Sequence, residues 1–440
     1  MKIGFVSLGC SKNLVDTEVM LKRLADAGYT ITPDETEADI IVVNTCGFIR
    51  SAKEEAIDNI LDVAWLKKNR ALKGIIATGC LVERYREQVL EEMPEVDAVL
   101  GTGSYHKIVE AVEAVARGEK YASFEDKNAA PLGGERIVTT PPYTAYLKVA
   151  EGCDNRCTYC AIPLIRGRMR SRRMEDVVAE AKSLEKIGVK ELNIIAQDTS
   201  RYGLDLYGKY MLPELVQKIL AETQIPWIRL LYLYPDKITD ELVAVIRDND
   251  RVCKYVDLPI QHVNDTVLAR MNRHGDGAVV RAAVEKIRRE IPGVTLRTTA
   301  IVGFPGETEA QFAELCEFVK ETGFDRFGAF TYSPEEGTPA AEFPDQIDEQ
   351  VKQDRYDTLM AVQLEVSEKK MQEKIGDVIE VLCEGYDPVA GVQYGRSRAD
   401  APDVDGKVYF TSAKKLPEGV FVNVKITKAL DYDLFGEAVR

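Results

Sequence analysis

Three cysteines, Cys153, Cys157 and Cys160, stand at the spacing C-x-x-x-C-x-x-C directly after a strand-like segment. A structural zinc site needs four ligands, and the nearest histidines, His106 and His262, are far away in the sequence. Three thiolates can instead hold a cluster of four irons and leave one iron open to an exchangeable ligand. The spacing therefore predicts an iron–sulfur cluster with one free coordination site.

A second set of cysteines, Cys10, Cys46 and Cys80, follows three predicted strands of the N-terminal region. Ligands of open α/β sheets gather at the carboxyl ends of the strands, so these cysteines could converge at one edge. Cys10 and Cys80 each follow a glycine, which lets a bulky ligand approach the backbone. The alternative is that all three are small buried hydrophobic residues. Their shared strand-terminal position favours a ligand site.

The other cysteines, Cys253, Cys316 and Cys383, have no comparable setting, and we interpret them as packing residues. His262 and His274 also lack the spacing of metal ligands. The two histidines could contact a substrate, but none of these five residues is a candidate metal ligand.

Two loops that follow predicted barrel strands are candidate cofactor contacts. IVGFPGETEAQ contains Gly303, and it starts a helix with Thr308 and Gln311 at the spacing of a capping box. Backbone amides there could meet polar groups of a cofactor, and Gln197 is a second candidate. The alternative for the glycine loop is an ordinary tight turn and helix cap.

An arginine run, RGRMRSRR, follows the cysteine motif. Guanidinium groups suit bidentate capture of a carboxylate or phosphate. The ordinary explanation of such a run is a solvated basic stretch. The run contains five arginines: Arg166, Arg168, Arg170, Arg172 and Arg173.

The chain reads as an α/β multidomain protein. Residues 1–121 alternate apolar β-branched runs with amphipathic helical patterns, which predicts a parallel sheet covered on both faces. Residues 122–142 lack periodicity and contain Pro and Gly, as expected of a linker. Residues 143–344 contain six further strand–helix units, which predict a partial or complete (β/α) barrel.

The last two segments have a different pattern. Residues 345–371 are charged and helical, which predicts a connector. Residues 372–440 contain short alternating strands separated by turn signals, which predict a small antiparallel β-barrel.

Composition limits the classes of function. The sequence has 440 residues, is 45% hydrophobic and contains no run approaching the roughly 20 apolar residues of a membrane span, so we expect a cytoplasmic protein without membrane contact. Nine cysteines without dense spacing predict metal ligands or buried thiols in a reducing compartment. The net charge of −15 argues against extended nucleic-acid binding, although many acidic proteins are acidic only for solubility.

The segment CDNRCTYC, with Tyr159 before its last cysteine, resembles the signature of the radical S-adenosylmethionine superfamily. The resemblance implies that the open iron chelates S-adenosylmethionine (SAM) and that Tyr159 lies near this cofactor. It also implies reductive cleavage of SAM to a 5′-deoxyadenosyl radical that abstracts hydrogen from an unactivated carbon.

Over essentially its whole length the chain resembles the methylthiotransferases, with the tail similar to a TRAM domain. The resemblance implies two 4Fe-4S clusters. Cys153, Cys157 and Cys160 would hold the cluster that makes the radical. The N-terminal set would hold an auxiliary cluster that stages sulfur, and its members would be Cys10, Cys46 and Cys80.

Within that family the chain is similar to the branch that modifies an aspartate of small-subunit ribosomal protein twelve. The similarity is carried by GCSKNLVDTE, CAIPLIRGRMRSR, YVDLPIQH and, above all, GRSRADAPDVDG. Residues 372–440 contain 12 acidic and 9 basic residues, a difference of −3 that suits a basic protein partner better than phosphates. The expected product is a methylthio group on the β-carbon of the aspartate, and the reaction needs an electron donor.

Two other functions remain open from the sequence. The first is the same chemistry on a transfer-RNA adenosine, since the family includes such enzymes. The second is a non-catalytic iron–sulfur or RNA-binding scaffold, because small β-barrels often bind oligonucleotides.

Overall fold

The computed structural model describes residues 1–439. Its N-terminal part is a parallel sheet in the order β2-β1-β3-β4-β5-β6. The strands are β1 (Lys2–Ser7), β2 (Thr30–Ile31), β3 (Ile40–Thr45), β4 (Gly74–Gly79), β5 (Ala98–Leu100) and β6 (Tyr121–Ser123). The short strands β2 and β6 form the two edges of the sheet, and β6 includes the first two residues of the predicted linker.

Helices cover both faces of this sheet. They are α1 (Ser11–Asp26), α2 (Arg50–Asn69), α3 (Cys80–Tyr85), α4 (Gln88–Glu92) and α5 (Ile108–Ala116). The central strands β3 and β4 are buried at every position, as expected when a sheet is covered on both faces. Two apolar cores form, one on each side of the sheet.

The middle part begins with β7 (Thr144–Lys148), which is followed by a small antiparallel ribbon of β8 (Ala150–Glu151) and β9 (Arg170–Ser171). This ribbon brackets the cysteine motif. Five more strands join β7 in a parallel sheet: β10 (Glu191–Ile195), β11 (Trp227–Leu230), β12 (Val252–Asp257), β13 (Thr295–Val302) and β14 (Arg326–Thr331). The order β14-β13-β12-β11-β10-β7 leaves β7 and β14 as edges, so the barrel is partial.

The longer helices of the middle part share one apolar core with its strands, and the middle part, residues 143–344, contains eight α-helices in all. They are α6 (Ile162–Arg166), α7 (Met174–Lys186), α8 (Leu204–Tyr207), α9 (Leu212–Glu222), α10 (Asp240–Asp248), α11 (Asp265–Arg270), α12 (Gly277–Glu290) and α13 (Glu309–Thr322). Thr308 and Gln311 form the predicted capping box at the start of α13.

The predicted connector is the helix α14 (Glu349–Gln372). Leu359 is fully buried in the core of the partial barrel, and Gln363 donates to the carbonyl oxygen of Phe324 at 3.1 Å. The connector is therefore packed against the barrel and is part of its structure.

The C-terminal part is a closed barrel of five strands in the order β15-β16-β17-β19-β18. The strands are β15 (Val378–Asp387), β16 (Val392–Ser397), β17 (Val408–Thr411), β18 (Phe421–Ala429) and β19 (Leu434–Val439). Strand β19 closes the barrel by pairing parallel to β17 and antiparallel to β18. All other pairs are antiparallel, as predicted.

A buried ion-pair group joins this small barrel to the partial barrel. Glu191 at the start of β10 is fully buried, and it accepts from Arg229 at 2.9 Å and from Arg396 at 2.6 Å. Burial opposes ionisation of Glu191, but the two guanidinium groups outweigh it and lower its pKa to about 2. This stabilisation is present above the unfolded pKa of about 4.3 and is lost as the pH falls towards 2.

No helix within residues 1–439 is both long and apolar enough to cross a membrane.

We predict that Glu191→Gln destabilises the protein by about 3–5 kcal/mol, because it leaves the buried Arg229 guanidinium without a carboxylate and Arg396 with Glu384 alone. The measurement is urea-induced unfolding followed by tryptophan fluorescence. The Trp227 ring lies 4.9 Å from that of Phe421 across the same interface, whereas the second tryptophan, Trp65, is exposed. The control is Glu222→Gln, which breaks an exposed pair with Lys182 and should cost less than about 1 kcal/mol. Equal effects of the two substitutions would contradict a stabilising role of the buried ion-pair group around Glu191.

Candidate metal centre

The N-terminal cysteines lie at one edge of the first sheet. Cys10, Cys46 and Cys80 come shortly after β1, β3 and β4, which are neighbours in the sheet. The register pairs Ser7 with Asn44 and Thr45 with Gly79, so the three strands end side by side. The parallel topology thus brings together three thiols whose successive positions are 34 to 36 residues apart in sequence.

Glycines allow the three cysteine loops to pack closely. A Cβ atom at Gly9 would lie 2.8 Å from Cβ and 3.1 Å from Sγ of Cys46. A Cβ atom at Gly47 would lie 2.6 Å from the backbone nitrogen of Leu81, next to Cys80. Larger residues at Gly9 and Gly47 would therefore push the three loops apart.

The three thiols differ in exposure and in charge environment. Cys10 is exposed, Cys46 is partly buried and Cys80 is buried. Burial raises the pKa of Cys80 to about 12, although the Arg166 guanidinium, whose Nη2 lies 3.3 Å from the Cys80 Sγ, opposes this shift. Because a metal binds the thiolate, Arg166 is placed to stabilise the ligand form of Cys80.

The second set of cysteines lies on the loop between β8 and β9. The backbone N–H of Cys153 donates to the carbonyl of Gly167 at 3.2 Å, and that of Cys160 donates to the carbonyl of Cys157 at 3.0 Å. The Sγ of Cys157 lies 3.1 Å from the hydroxyl of Tyr234. Burial raises the pKa of Cys153 to about 12, so a metal must displace its proton to bind.

The donor set of each triad suits a cluster better than a single ion. No three His, Cys, Asp or Glu side chains within residues 1–439 are grouped as ligands of one metal ion. A structural zinc ion takes four protein ligands, whereas a cubane with one open iron takes three thiolates. Each triad offers only thiols, and the residues present therefore fit a 4Fe-4S cluster.

The three predicted cofactor contacts have different surroundings. Tyr159 lines a cavity of about 230 Å³ at the barrel mouth. Gln197 donates to Glu151 at 2.5 Å, and its Oε1 atom is buried without a hydrogen-bond partner. The backbone N–H of Gly303 is already used, because it donates to both carboxylate oxygens of Glu307 at 3.1 Å.

The cavity beside Tyr159 lies between the two cysteine loops. Phe48 and Ile49, which follow Cys46, form one wall, while Ile301 and Tyr332 line it from the partial barrel. A ligand in this cavity would contact both the N-terminal domain and the loop of the second cysteine triad.

A buried ion-pair network, which we call the bridge, connects the two triads. It consists of two cations and two carboxylates: Asp16, Lys148, Glu151 and Arg166. Arg166 Nη1 contacts Asp16 at 2.5 Å and Glu151 at 3.2 Å, while its Nη2 contacts the Cys80 thiol. Because Glu151 precedes Cys153 by two residues, the bridge runs from one cysteine triad to the other.

Two members of the arginine run are thus neither solvated nor free to bind a ligand. Arg166 belongs to the bridge, and Arg172 is buried and pairs with Glu180 at 2.6 Å. Arg168 and Arg173 are exposed and match a solvated stretch; the Arg173 side chain is 75% exposed.

The other members of the bridge were not predicted from the sequence. Lys148 and Glu151 are two charged residues inside the apolar segment YTAYLKVAEGC, whose strand is buried at every position. Charges in such a segment require partners, and this was the available signal. Their partners Asp16 and Arg166 are distant in sequence and could not be identified from the pattern.

A second contact holds the N-terminal domain at the opposite edge of the barrel. Glu335, which follows β14, accepts from Lys53 at 3.0 Å and from Arg84 at 2.6 Å. Arg84 also donates to the carbonyl of Gly47 at 2.9 Å, next to Cys46. The N-terminal domain is therefore fixed to both edges of the partial barrel and covers its mouth.

Three family models match separate parts of the chain. Residues 2–101 match the uncharacterized protein family UPF0004, residues 147–319 match the radical SAM superfamily, and residues 375–439 match the TRAM domain. These matches agree with the two α/β parts and the small barrel seen in the structure.

Curated relatives match over the full length. A protein from Desulforamulus reducens named ribosomal protein uS12 methylthiotransferase RimO is 50% identical over 100% of this chain and 99% of its own. A Thermoanaerobacter protein of the same name is 50% identical over 99% of both chains.

Solved structures share the fold at low sequence identity. The radical SAM methyltransferase TsrM from Kitasatospora setae, solved with cobalamin and a [4Fe-4S] cluster, is 14% identical with a TM-score of 0.56 over 77% of this chain and 76% of its own. The cobalamin-dependent radical enzyme OxsB is 10% identical with a TM-score of 0.50 over 82% of this chain and 56% of its own. These two similarities concern the fold alone.

We predict that Arg166→Gln destabilises the cluster-free protein by about 3–5 kcal/mol, because it leaves two buried carboxylates with Lys148 as their only cation. The measurement is urea-induced unfolding. Arg173→Gln, in the same run but exposed, is the matched control and should change stability by less than about 0.5 kcal/mol. If Arg166→Gln changed the free energy of unfolding as little as Arg173→Gln does, the bridge would not hold the domains together.

Proposed function

Because the chain belongs to the family of ribosomal protein uS12 methylthiotransferases named RimO, we propose that it methylthiolates the β-carbon of an aspartate in small-subunit ribosomal protein uS12. The observation that carries this proposal is the identity of about 50% over the whole length of both chains, all three domains included. A ribosomal substrate supports a cytoplasmic location.

We further propose two 4Fe-4S clusters. The first binds Cys153, Cys157 and Cys160. The auxiliary cluster binds the N-terminal triad of Cys10, Cys46 and Cys80. The support is that each triad contains three thiols and that Arg166 and Glu151 connect them through the bridge.

The cavity beside Tyr159 is the proposed site of SAM. It is bordered by the loop of the second triad and by Phe48 from the N-terminal domain. When bound, the clusters and SAM supply the 5′-deoxyadenosyl radical and the methylthio group. An external electron donor is also needed.

The residues of this chain position the two domains and shield the space between the cysteine loops from water. The bridge and Glu335 fix the N-terminal domain over the open mouth of the barrel, so the two cysteine loops face each other across a covered space. Exclusion of water from that space protects a reactive radical from side reactions. Gln197 and Gly303 both have protein partners in this structure. We propose that Gln197 contributes to SAM binding through its unpaired Oε1 atom.

The substrate prediction is tested by an anaerobic reaction of the reconstituted enzyme with purified uS12 and, separately, with transfer RNA. Intact-mass analysis should show one methylthio group replacing one hydrogen on uS12, and nucleoside analysis should show unmodified transfer RNA. A modified adenosine with unmodified uS12 would reassign the enzyme to transfer RNA. A cluster-containing protein that never yields 5′-deoxyadenosine would be a scaffold.

The two-cluster prediction is tested by iron counting. Replacing Cys10, Cys46 and Cys80 with alanine should lower the iron content from about eight to about four per chain, because one cubane is lost. This variant should still form 5′-deoxyadenosine but no methylthio product. Cys316→Ala, on a helix away from both triads, is the control and should keep about eight irons. Methylthio product from the triple variant would disprove the auxiliary site.

A further inference from the structure

A second cavity lies where the three domains meet, beside Cys10. Its volume is about 400 Å³. Its walls come from the N-terminal domain, the barrel mouth and the TRAM domain, and they include Cys10, Ser11, Tyr146, Tyr232, Arg297 and Asp403. A ligand there would lie next to the proposed auxiliary cluster.

Lys12, in the first turn of α1, is a buried cation without a carboxylate partner within residues 1–439. Lys12 is 7% exposed. The other two buried lysines are both paired: Lys148 contacts Glu151 at 2.8 Å, and Lys352 contacts Glu349 at 2.6 Å. A buried charge is costly unless an opposite charge compensates it, so Lys12 requires an anion that the described protein does not supply.

The position of Lys12 adds to the local positive potential. It lies at the N-terminus of a 16-residue helix whose first turn contains no acidic residue, although helix N-termini favour negative charge. The hydroxyl of Ser11, the preceding residue and a lining residue of the cavity, is buried without a hydrogen-bond partner. One unpaired cation and one unpaired donor thus stand side by side at the helix end.

The ammonium group is held in place by Tyr232. Nζ of Lys12 lies 3.0 Å from the centroid of the Tyr232 ring, and this ring lines the cavity. The backbone of Tyr232 has φ of +62°, a strained conformation for a residue with a side chain, and its N–H donates to Asp257 at 2.9 Å. Strain of this kind persists where the surrounding structure fixes a functional residue.

We propose that Lys12 and Ser11 bind the side-chain carboxylate of the aspartate that is methylthiolated. This inference rests on the proposed function and extends it to the residues that select the substrate. A single carboxylate matches the one uncompensated charge of Lys12. The adjacent cavity is lined by two carboxylates, Asp257 and Asp403, and one cation, Arg297, a balance that disfavours the several phosphates of a nucleic acid. The ammonium group would hold the carboxylate while the adjacent β-carbon faces the reaction centre.

The test compares two substrates on two enzymes. The reconstituted holoenzyme and its Lys12→Met variant are titrated, without reductant, with uS12 and with uS12 in which the modified aspartate is replaced by asparagine. The wild-type enzyme should bind the aspartate form about 10- to 100-fold more tightly, as expected of one charge-assisted hydrogen bond. Lys12→Met should bind both forms equally.

Further variants separate this role from a structural one. Lys12→Arg keeps the charge and should keep most of the discrimination, and Ser11→Ala should reduce it in part. Lys22→Met, on the same helix at a half-exposed pair with Asp26, should discriminate like the wild type. Iron content and the electron paramagnetic resonance spectrum of the reduced clusters should be unchanged in Lys12→Met.

Retention of the discrimination by Lys12→Met would overturn the proposal. An altered cluster spectrum with intact discrimination would also overturn it, because Lys12 would then serve the cluster. Failure of the wild-type enzyme to modify uS12 at all would instead refute the proposed function, and this inference with it.

Discussion

The relative position of the two cysteine triads depends on the bridge between Asp16, Lys148, Glu151 and Arg166. Its four charges sum to zero and are removed from water, so each is tolerated only while the others are present. Asp16 belongs to the N-terminal domain, and the other three belong to the barrel. The pairing therefore defines one relative orientation of the two domains, and Arg166 extends it to the Cys80 sulfur.

The N-terminal domain in turn completes a barrel that does not close. The six parallel strands end at β7 and β14, and the domain is attached near both, through the bridge at one edge and through Glu335 at the other. This attachment creates two cavities, one beside Tyr159 and one beside Cys10, from surfaces of different domains. Neither domain could form them alone.

The TRAM domain uses the segment GRSRADAPDVDG, residues 395–406, mainly to dock. Arg396 pairs with Glu191 and Asp400 pairs with Arg326, and the hydroxyl of Tyr255 donates to Asp405 at 2.6 Å. Two of the acidic residues counted towards an acidic face are therefore buried in contacts with the barrel. Asp403 is different, because it is exposed and lines the cavity beside Cys10.

The sequence alone determined the cysteine motifs, the strand–helix alternation and the family. These are local features: a spacing of three and two residues, an apolar run of strand length, and a cysteine at the end of such a run. They predicted the three folded parts, and they also predicted that parallel strands would bring Cys10, Cys46 and Cys80 to one edge.

Only the tertiary structure decided which charges pair and which sheet closes into a barrel. Asp16 and Arg166 are 150 residues apart, and nothing in their local sequence identifies them as partners. The partial barrel, the parallel pairing of β19 and the use of the Gly303 amide by Glu307 are likewise long-range outcomes. The isolation of Lys12 is another, because the absence of a partner becomes visible only when every neighbour has been placed. Buried electrostatics depends on the complete set of neighbours, and the sequence gives only those adjacent in the chain.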